Sequence, residues 1–138
     1  MNKNNLLISI LLVTCAGQAF AGDVVVIVNK ANDAAVDKAS VAKIYTGESK
    51  SWPGGGSIVA YDLPEDNPSR AAFSNDIVGK SPANLKSLWT QNTFTGKAVP
   101  PKVAASDDEV KKAVGANKNA IGYIKASAVD DTVKTVVK

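Results

Sequence analysis

The sequence predicts an α/β domain, and three observations predict it. Short β-branched runs alternate with segments of helical periodicity, three of the helical segments open on a capping residue, and glycine or proline punctuates the joins. Strands interleaved with helices in this way form a mixed sheet flanked by helices. The chain has no internal repeat and no long linker, so one domain with one core is expected.

The first strand is Asp23-Val24-Val25-Val26-Ile27-Val28-Asn29, a continuous β-branched run of the kind covered on both faces of a sheet. Asp37 to Tyr45 follows as a helix that places Val41, Ile44 and Tyr45 on one face, with Gly47 as its stop. Trp52-Pro53-Gly54-Gly55-Gly56 turns into a second strand, Ser57 to Asp62. Asn67-Pro68 opens a helix running to Gly79: Asn67 caps it, and Pro68 sits where its missing N–H costs nothing. Ser81-Pro82 repeats the device for a helix that buries Leu85, Leu88 and Trp89. After Pro100-Pro101, Lys102 to Ala105 reads as a short strand. Ser106 with Glu109 is a capping box for a helix ending at Gly115-Ala116-Asn117. Ala120 to Ile124 and Thr132 to Val137 are the last two strands.

The N-terminus stands apart from this pattern. Lys3 precedes Leu6-Leu7-Ile8-Ser9-Ile10-Leu11-Leu12-Val13, an apolar run too short to span a bilayer, and Ala19-Phe20-Ala21 offers small residues at the two positions a signal peptidase reads. Residues 1–21 are therefore expected to be a cleaved signal peptide and residues 22–138 the mature domain, with no membrane anchor and a location in the periplasm. Cys15 raises the alternative of a lipidated N-terminus, but Thr14 suits that cleavage poorly. The mature domain then has no cysteine, so no disulfide supports it and its stability rests on its core.

Composition narrows the chemistry. With Lys3 set aside, 15 Lys and Arg face 13 Asp and Glu, scattered along the chain, which disfavours a nucleic-acid stripe or a polybasic membrane patch. The sequence has no histidine and its one cysteine lies in the signal peptide. The commonest general base, zinc ligands and thiol nucleophile are thus missing from the mature domain. Neither a G-x-S-x-G elbow nor a phosphate-cradling P-loop is present, so no enzymatic activity, metal or cofactor is expected. The adjacent Asp107, Asp108 and Glu109 suit the positive end of a helix better than a metal, because neighbouring residues in a first turn point in different directions.

The candidate binding residues are Asn67, Ser69 and Arg70. Free N–H groups at a helix start, the Ser69 hydroxyl and the sole arginine of the chain could together hold an oxyanion. Glu65 and Asp66 immediately before it supply negative charge themselves, and a self-capped helix without ligand is the competing reading.

In order and spacing, several segments resemble the phosphate-type solute-binding proteins of bacterial ABC transporters, the PstS-like periplasmic receptors. They are Asp23–Lys30, Val41-Ala42-Lys43-Ile44-Tyr45-Thr46-Gly47, Trp52 with its glycines, Arg70-Ala71-Ala72-Phe73, Trp89, Phe94-Thr95-Gly96, Pro100-Pro101 and Ala120-Ile121-Gly122-Tyr123-Ile124. The resemblance implies one lobe of a type II periplasmic-binding-protein fold, phosphate or another small anion as ligand, and an ABC permease as partner. It also implies a two-lobed receptor, of which this sequence matches a single lobe. Where the family carries arginine and then Ser-Gly-Thr, this chain has Leu63 and then Asn67-Pro68-Ser69, which removes a cation and an N–H donor. Two functions are therefore carried forward: weak binding of phosphate or a similar anion at Asn67, Ser69 and Arg70, or an interaction module that contacts another envelope protein or itself. Exposed aromatic anchors at Trp52 or Tyr61 would favour the second, and plain core packing is the competing reading of either residue.

Overall fold

A computed structural model of the chain describes residues 23–138; the expected signal peptide, the expected cleavage before Gly22 and the Cys15 alternative lie outside the described residues. Eleven elements follow one another: β1 (Val24–Asn29), α1 (Lys38–Tyr45), β2 (Val59–Asp62), α2 (Pro68–Phe73) running into a π turn (Ser74–Val78), α3 (Pro82–Phe94), β3 (Lys102–Val103), α4 (Asp107–Ala116), β4 (Ala120–Lys125), a 3₁₀ turn (Ala126–Ala128) and β5 (Val133–Val137).

The sheet is mixed, as the sequence predicts, with strand order β3-β2-β4-β1-β5. β1 runs antiparallel to both β4 and β5, whereas β2 is parallel to β3 and β4. Val24 through Val28 are all buried, consistent with a strand whose residues are apolar at every position.

Helix positions follow from local chemistry. Asn67, Ser81 and Ser106 each accept a hydrogen bond from a backbone N–H inside the first turn that they cap. At the far end of α1, the carbonyls that lack intrahelical partners are met by α3: Trp89 Nε1 donates to the Tyr45 carbonyl at 2.7 Å and Asn92 Nδ2 to the Thr46 carbonyl at 3.1 Å. Asn29 does the same for α4, donating to the Val114 and Gly115 carbonyls at 2.9 and 3.0 Å. Gly47, at φ +83°, is held between Trp89, Asn92 and Ala98, so a side chain there would meet both the strain of a left-handed backbone and near contacts.

Two sequence expectations are corrected, and the open reading of Trp52 is decided. The helix from Asn67 to Gly79 is not one regular helix: after Phe73 it widens into the π turn, because Gly79 N–H and Lys80 N–H both reach the Ser74 carbonyl, at 2.9 and 3.1 Å, and the Ser74 hydroxyl donates to the Lys80 carbonyl. Strand β2 begins at Val59 rather than Ser57, since Ser57 bridges Ser51 and the Ile58 N–H is taken by the Lys50 carbonyl. Trp52 is not an exposed anchor; it is buried, and its indole N–H donates to the Asn119 carbonyl at 3.0 Å. Tyr61 is half-buried against the same core.

An aromatic trio forms the centre of the core. Phe73 and Tyr123 stack with centroids 3.8 Å apart and planes 6° from parallel, and Tyr45 meets Phe73 edge-on at 4.7 Å. The hydroxyls of Tyr45 and Tyr123 point from this apolar cluster toward the C-terminal end of β2, where Tyr45 donates to the Tyr61 carbonyl at 2.6 Å.

Candidate functional site

Strand β2 lies between two parallel neighbours, β3 on one side and β4 on the other. The carboxyl ends of parallel strands are where open α/β sheets bind ligands. The segment leaving β2, Asp62 to Ser69, contains all the residues in question except Arg70, which follows directly.

Asp62 closes β2 and is buried. Its Oδ1 accepts from the Leu63 N–H at 2.8 Å and from the Tyr123 hydroxyl, and its Oδ2 stands 3.6 Å from Arg70 Nη2. Arg70 Nη1 donates to the Leu63 carbonyl at 2.9 Å. The guanidinium is thus held by a carboxylate and a carbonyl of its own chain. Burial, then the Asp62 charge and the hydrogen bond to it, raise the Tyr123 phenol well above its ordinary range; burial and the same charge raise Tyr45. Both hydroxyls therefore remain donors across the physiological range.

Asn67 turns back on its own helix, its Oδ1 accepting from the Ser69 N–H at 2.9 Å, and the Arg70 N–H is taken by the Asn67 carbonyl at 3.0 Å. Two N–H groups of the first turn are used in this way, and Pro68 has none. Ser69 is fully buried and, among the described residues, its Oγ has no hydrogen-bond partner. Glu65 points outward to Lys86, 3.2 Å away on α3, in an exposed pair of the kind worth little.

The structure therefore gathers Asn67, Ser69 and Arg70, from the cap and first turn of α2, at the end of β2, together with Asp62 of β2 and Tyr123 of β4, which sequence reasoning missed. Asp62 was readable only as the end of a strand, and its partner Tyr123 lies 61 positions away, beyond any local pattern. Beside this loop an open groove of about 700 Å³ is bordered by Glu65, Arg70, Lys86, Phe94 and Val103. The acids at the start of α4 have separate partners. Asp107 accepts from the Lys125 N–H, Asp108 pairs with Lys111, and Glu109 accepts from the Ala105 N–H. Among the described residues no group of acids, histidines or cysteines is arranged to hold a metal, and no helix is long and apolar enough to cross a membrane.

This architecture, with the groove at β2, is that of a binding-protein lobe. A family model described as a PBP superfamily domain matches residues 18–138, and the chain belongs to that superfamily. Among solved structures it is similar to a candidate phosphate ABC transporter substrate-binding protein with bound phosphate from Clostridium perfringens, at 29% identity and a TM-score of 0.65, over 83% of this chain and 44% of that one. It shares the fold of an ABC-type phosphate transport receptor from Vibrio cholerae, at 21% identity and a TM-score of 0.64, over 82% of this chain and 44% of the receptor. The chain thus spans less than half the length of either protein. No curated protein matches it. The chain is thus related to the substrate-binding receptors of phosphate ABC transporters.

Proposed function

We propose that this chain is an exported, non-catalytic domain of the phosphate-receptor type that resides in the periplasm and acts through contacts with another envelope protein. In this reading the place of a free anion is taken by the carboxylate of Asp62. One observation carries the proposal: the sole arginine of the chain is paired with Asp62 and the Leu63 carbonyl. An incoming phosphate would have to displace that carboxylate and would approach past Glu65 and Asp66, so like-charge repulsion adds to the lost pairing. The partner is an ABC permease or another protein of the envelope, reached after removal of a signal peptide, residues 1–21.

A second reading, weak binding of phosphate or a similar anion at Asn67, Ser69 and Arg70, is favoured by the buried and unpartnered Ser69 hydroxyl. Calorimetric titration of the purified protein with phosphate, sulfate and small organic anions separates the two. Absence of heat with every anion supports the contact reading. Micromolar phosphate binding that disappears in Arg70→Ala would overturn it in favour of the second.

A further inference from the structure

Scattered exposed apolar residues are normal on a folded domain, whereas a contiguous group calls for an explanation. Phe94 is 91% exposed, Val99 87% and Val103 62%, and all three fall between the end of α3 and the edge strand β3. Pro100 and Pro101 lie between them on a ridge. An open groove runs along each side of that ridge, about 330 Å³ on one side and 700 Å³ on the other, and both are bordered by Trp89, Pro100 and Pro101. A half-buried indole at the foot of two grooves, with an exposed phenyl ring beside it, has the make-up of a protein-contact hot spot.

The charge around this patch is one-sided. Lys97 and Lys102 are the only charged residues from Phe94 to Val103, and both are exposed. Lys50 joins them across the nearer groove, its ammonium donating to the Lys97 carbonyl. The one acid bordering either groove, Glu65, is paired with Lys86. A second copy docking here about a two-fold axis would set this basic patch against the same basic patch, which disfavours self-association. Pro100 and Pro101 carry no N–H, so the stretch entering β3 is a poor template for an added strand, and recognition must rest on side chains.

We propose that the ridge formed by Phe94, Val99, Pro100, Pro101 and Val103 is a docking surface for an acidic polypeptide segment that presents a large apolar anchor. The anchor enters a groove beside Trp89 while acidic residues meet Lys50, Lys97 and Lys102. This deepens and rests on the contact reading of the preceding section, since it names the surface and the chemistry of the partner.

The test uses three synthetic twelve-residue peptides: one rich in Asp and Glu with Trp and Leu anchors, its counterpart with Lys for every acid, and an acidic one with Ser for every anchor. Binding is read by fluorescence anisotropy and by amide shift mapping on the ¹⁵N-labelled protein. The acidic anchored peptide is expected to bind, with shifts gathered on residues 94–103. The Phe94→Ser, Val99→Ser double variant should weaken it about tenfold, and raising the salt from 50 to 500 mM should weaken it several-fold. Both substituted side chains are exposed, so the fold is retained. Binding by the lysine peptide of equal strength, shifts mapping elsewhere, or no binding of any peptide overturns the proposal. So does a dimer in sedimentation that the double variant abolishes, or binding to phosphatidylglycerol vesicles in place of the peptide. Failure here with silent anion titrations removes this surface alone, whereas micromolar phosphate binding removes the reading on which it rests.

Discussion

Arg70 Nη2 stands 3.6 Å from Asp62 Oδ2, and the two side chains are mostly buried, at 21% and 9% exposure. The pair turns the charge of the helix start inward. A receptor site for an oxyanion needs an unspent cation and free N–H donors; here the cation faces a carboxylate and Asn67 consumes a donor. If the carboxylate is what holds the site closed, Asp62→Asn should open it. Asn keeps an acceptor for the Tyr123 hydroxyl but leaves Arg70 without its counter-charge. Phosphate affinity measured by calorimetry should then rise by at least about tenfold over the unaltered protein, the worth of roughly one charge-assisted contact. Equal silence in both proteins would show that the loop, and not Asp62, keeps anions out.

The phenol of Tyr123 predicts how stability responds to alkali. Its pKa in the folded state is raised by burial and by Asp62, whereas in the unfolded chain it titrates at about 10. Below that pH neither state ionises, and the contribution is fully present. Above it the unfolded state releases a proton that the native state retains, so stability falls as pH rises. Tyr123→Phe should cost about 1–3 kcal/mol at pH 8 by removing a donor from buried Asp62. The gap between the two proteins in urea midpoint should then narrow between pH 9 and 11. A constant gap would mean that the hydroxyl is not held as described.

Much of this was legible in the sequence, and the reason is locality. The Val24–Val28 run declares a strand covered on both faces, and Asn67, Ser81 and Ser106 declare their helices because a cap acts on N–H groups two or three residues away. The π turn was not legible, since it depends on Ser74 being buried and bonded to Lys80. Trp52 was readable as either core or anchor but not decided, because its indole N–H is met by the carbonyl of Asn119, 67 positions away. In the same way Arg70 could be singled out as the lone arginine, while its pairing with Asp62 depends on how α2 folds back over the end of β2.

The start of α4 offers a prediction from local chemistry alone. Ser106 Oγ accepts from the Glu109 N–H at 3.3 Å, and Glu109 reaches back to the Ala105 N–H at 2.8 Å, one residue earlier than in the usual reciprocal box. Ser106→Ala should therefore lower stability by about 1 kcal/mol, and Ser106→Asp should restore most of it, both read from thermal melts. The test of the tertiary role of Asp107 is separate. Because it accepts from the Lys125 N–H at the end of β4, Asp107→Ala should destabilise even though it leaves the cap intact.

Gly122 tests how closely α4 lies against the sheet. It sits in β4 with ordinary backbone angles, so a side chain would meet no conformational penalty there, and only space decides the outcome. An added Cβ would lie 2.4 Å from Val110 Cγ1 and 3.4 Å from Val114 Cγ2, both on α4 and both fully buried. Neither valine has a second rotamer readily open to it in a helix, so the strain passes to the backbone of α4. That helix is also tied to β1 through Asn29 and to β4 through Asp107, which resist its retreat. Gly122→Ala should accordingly cost about 1–3 kcal/mol in urea unfolding, as overpacking of a filled core does. The compensating pair Gly122→Ala, Val110→Ala should recover part of that loss, since the smaller residue on α4 yields the volume that the new methyl takes. A single substitution without measurable effect would show that α4 rides further from the sheet than these contacts place it.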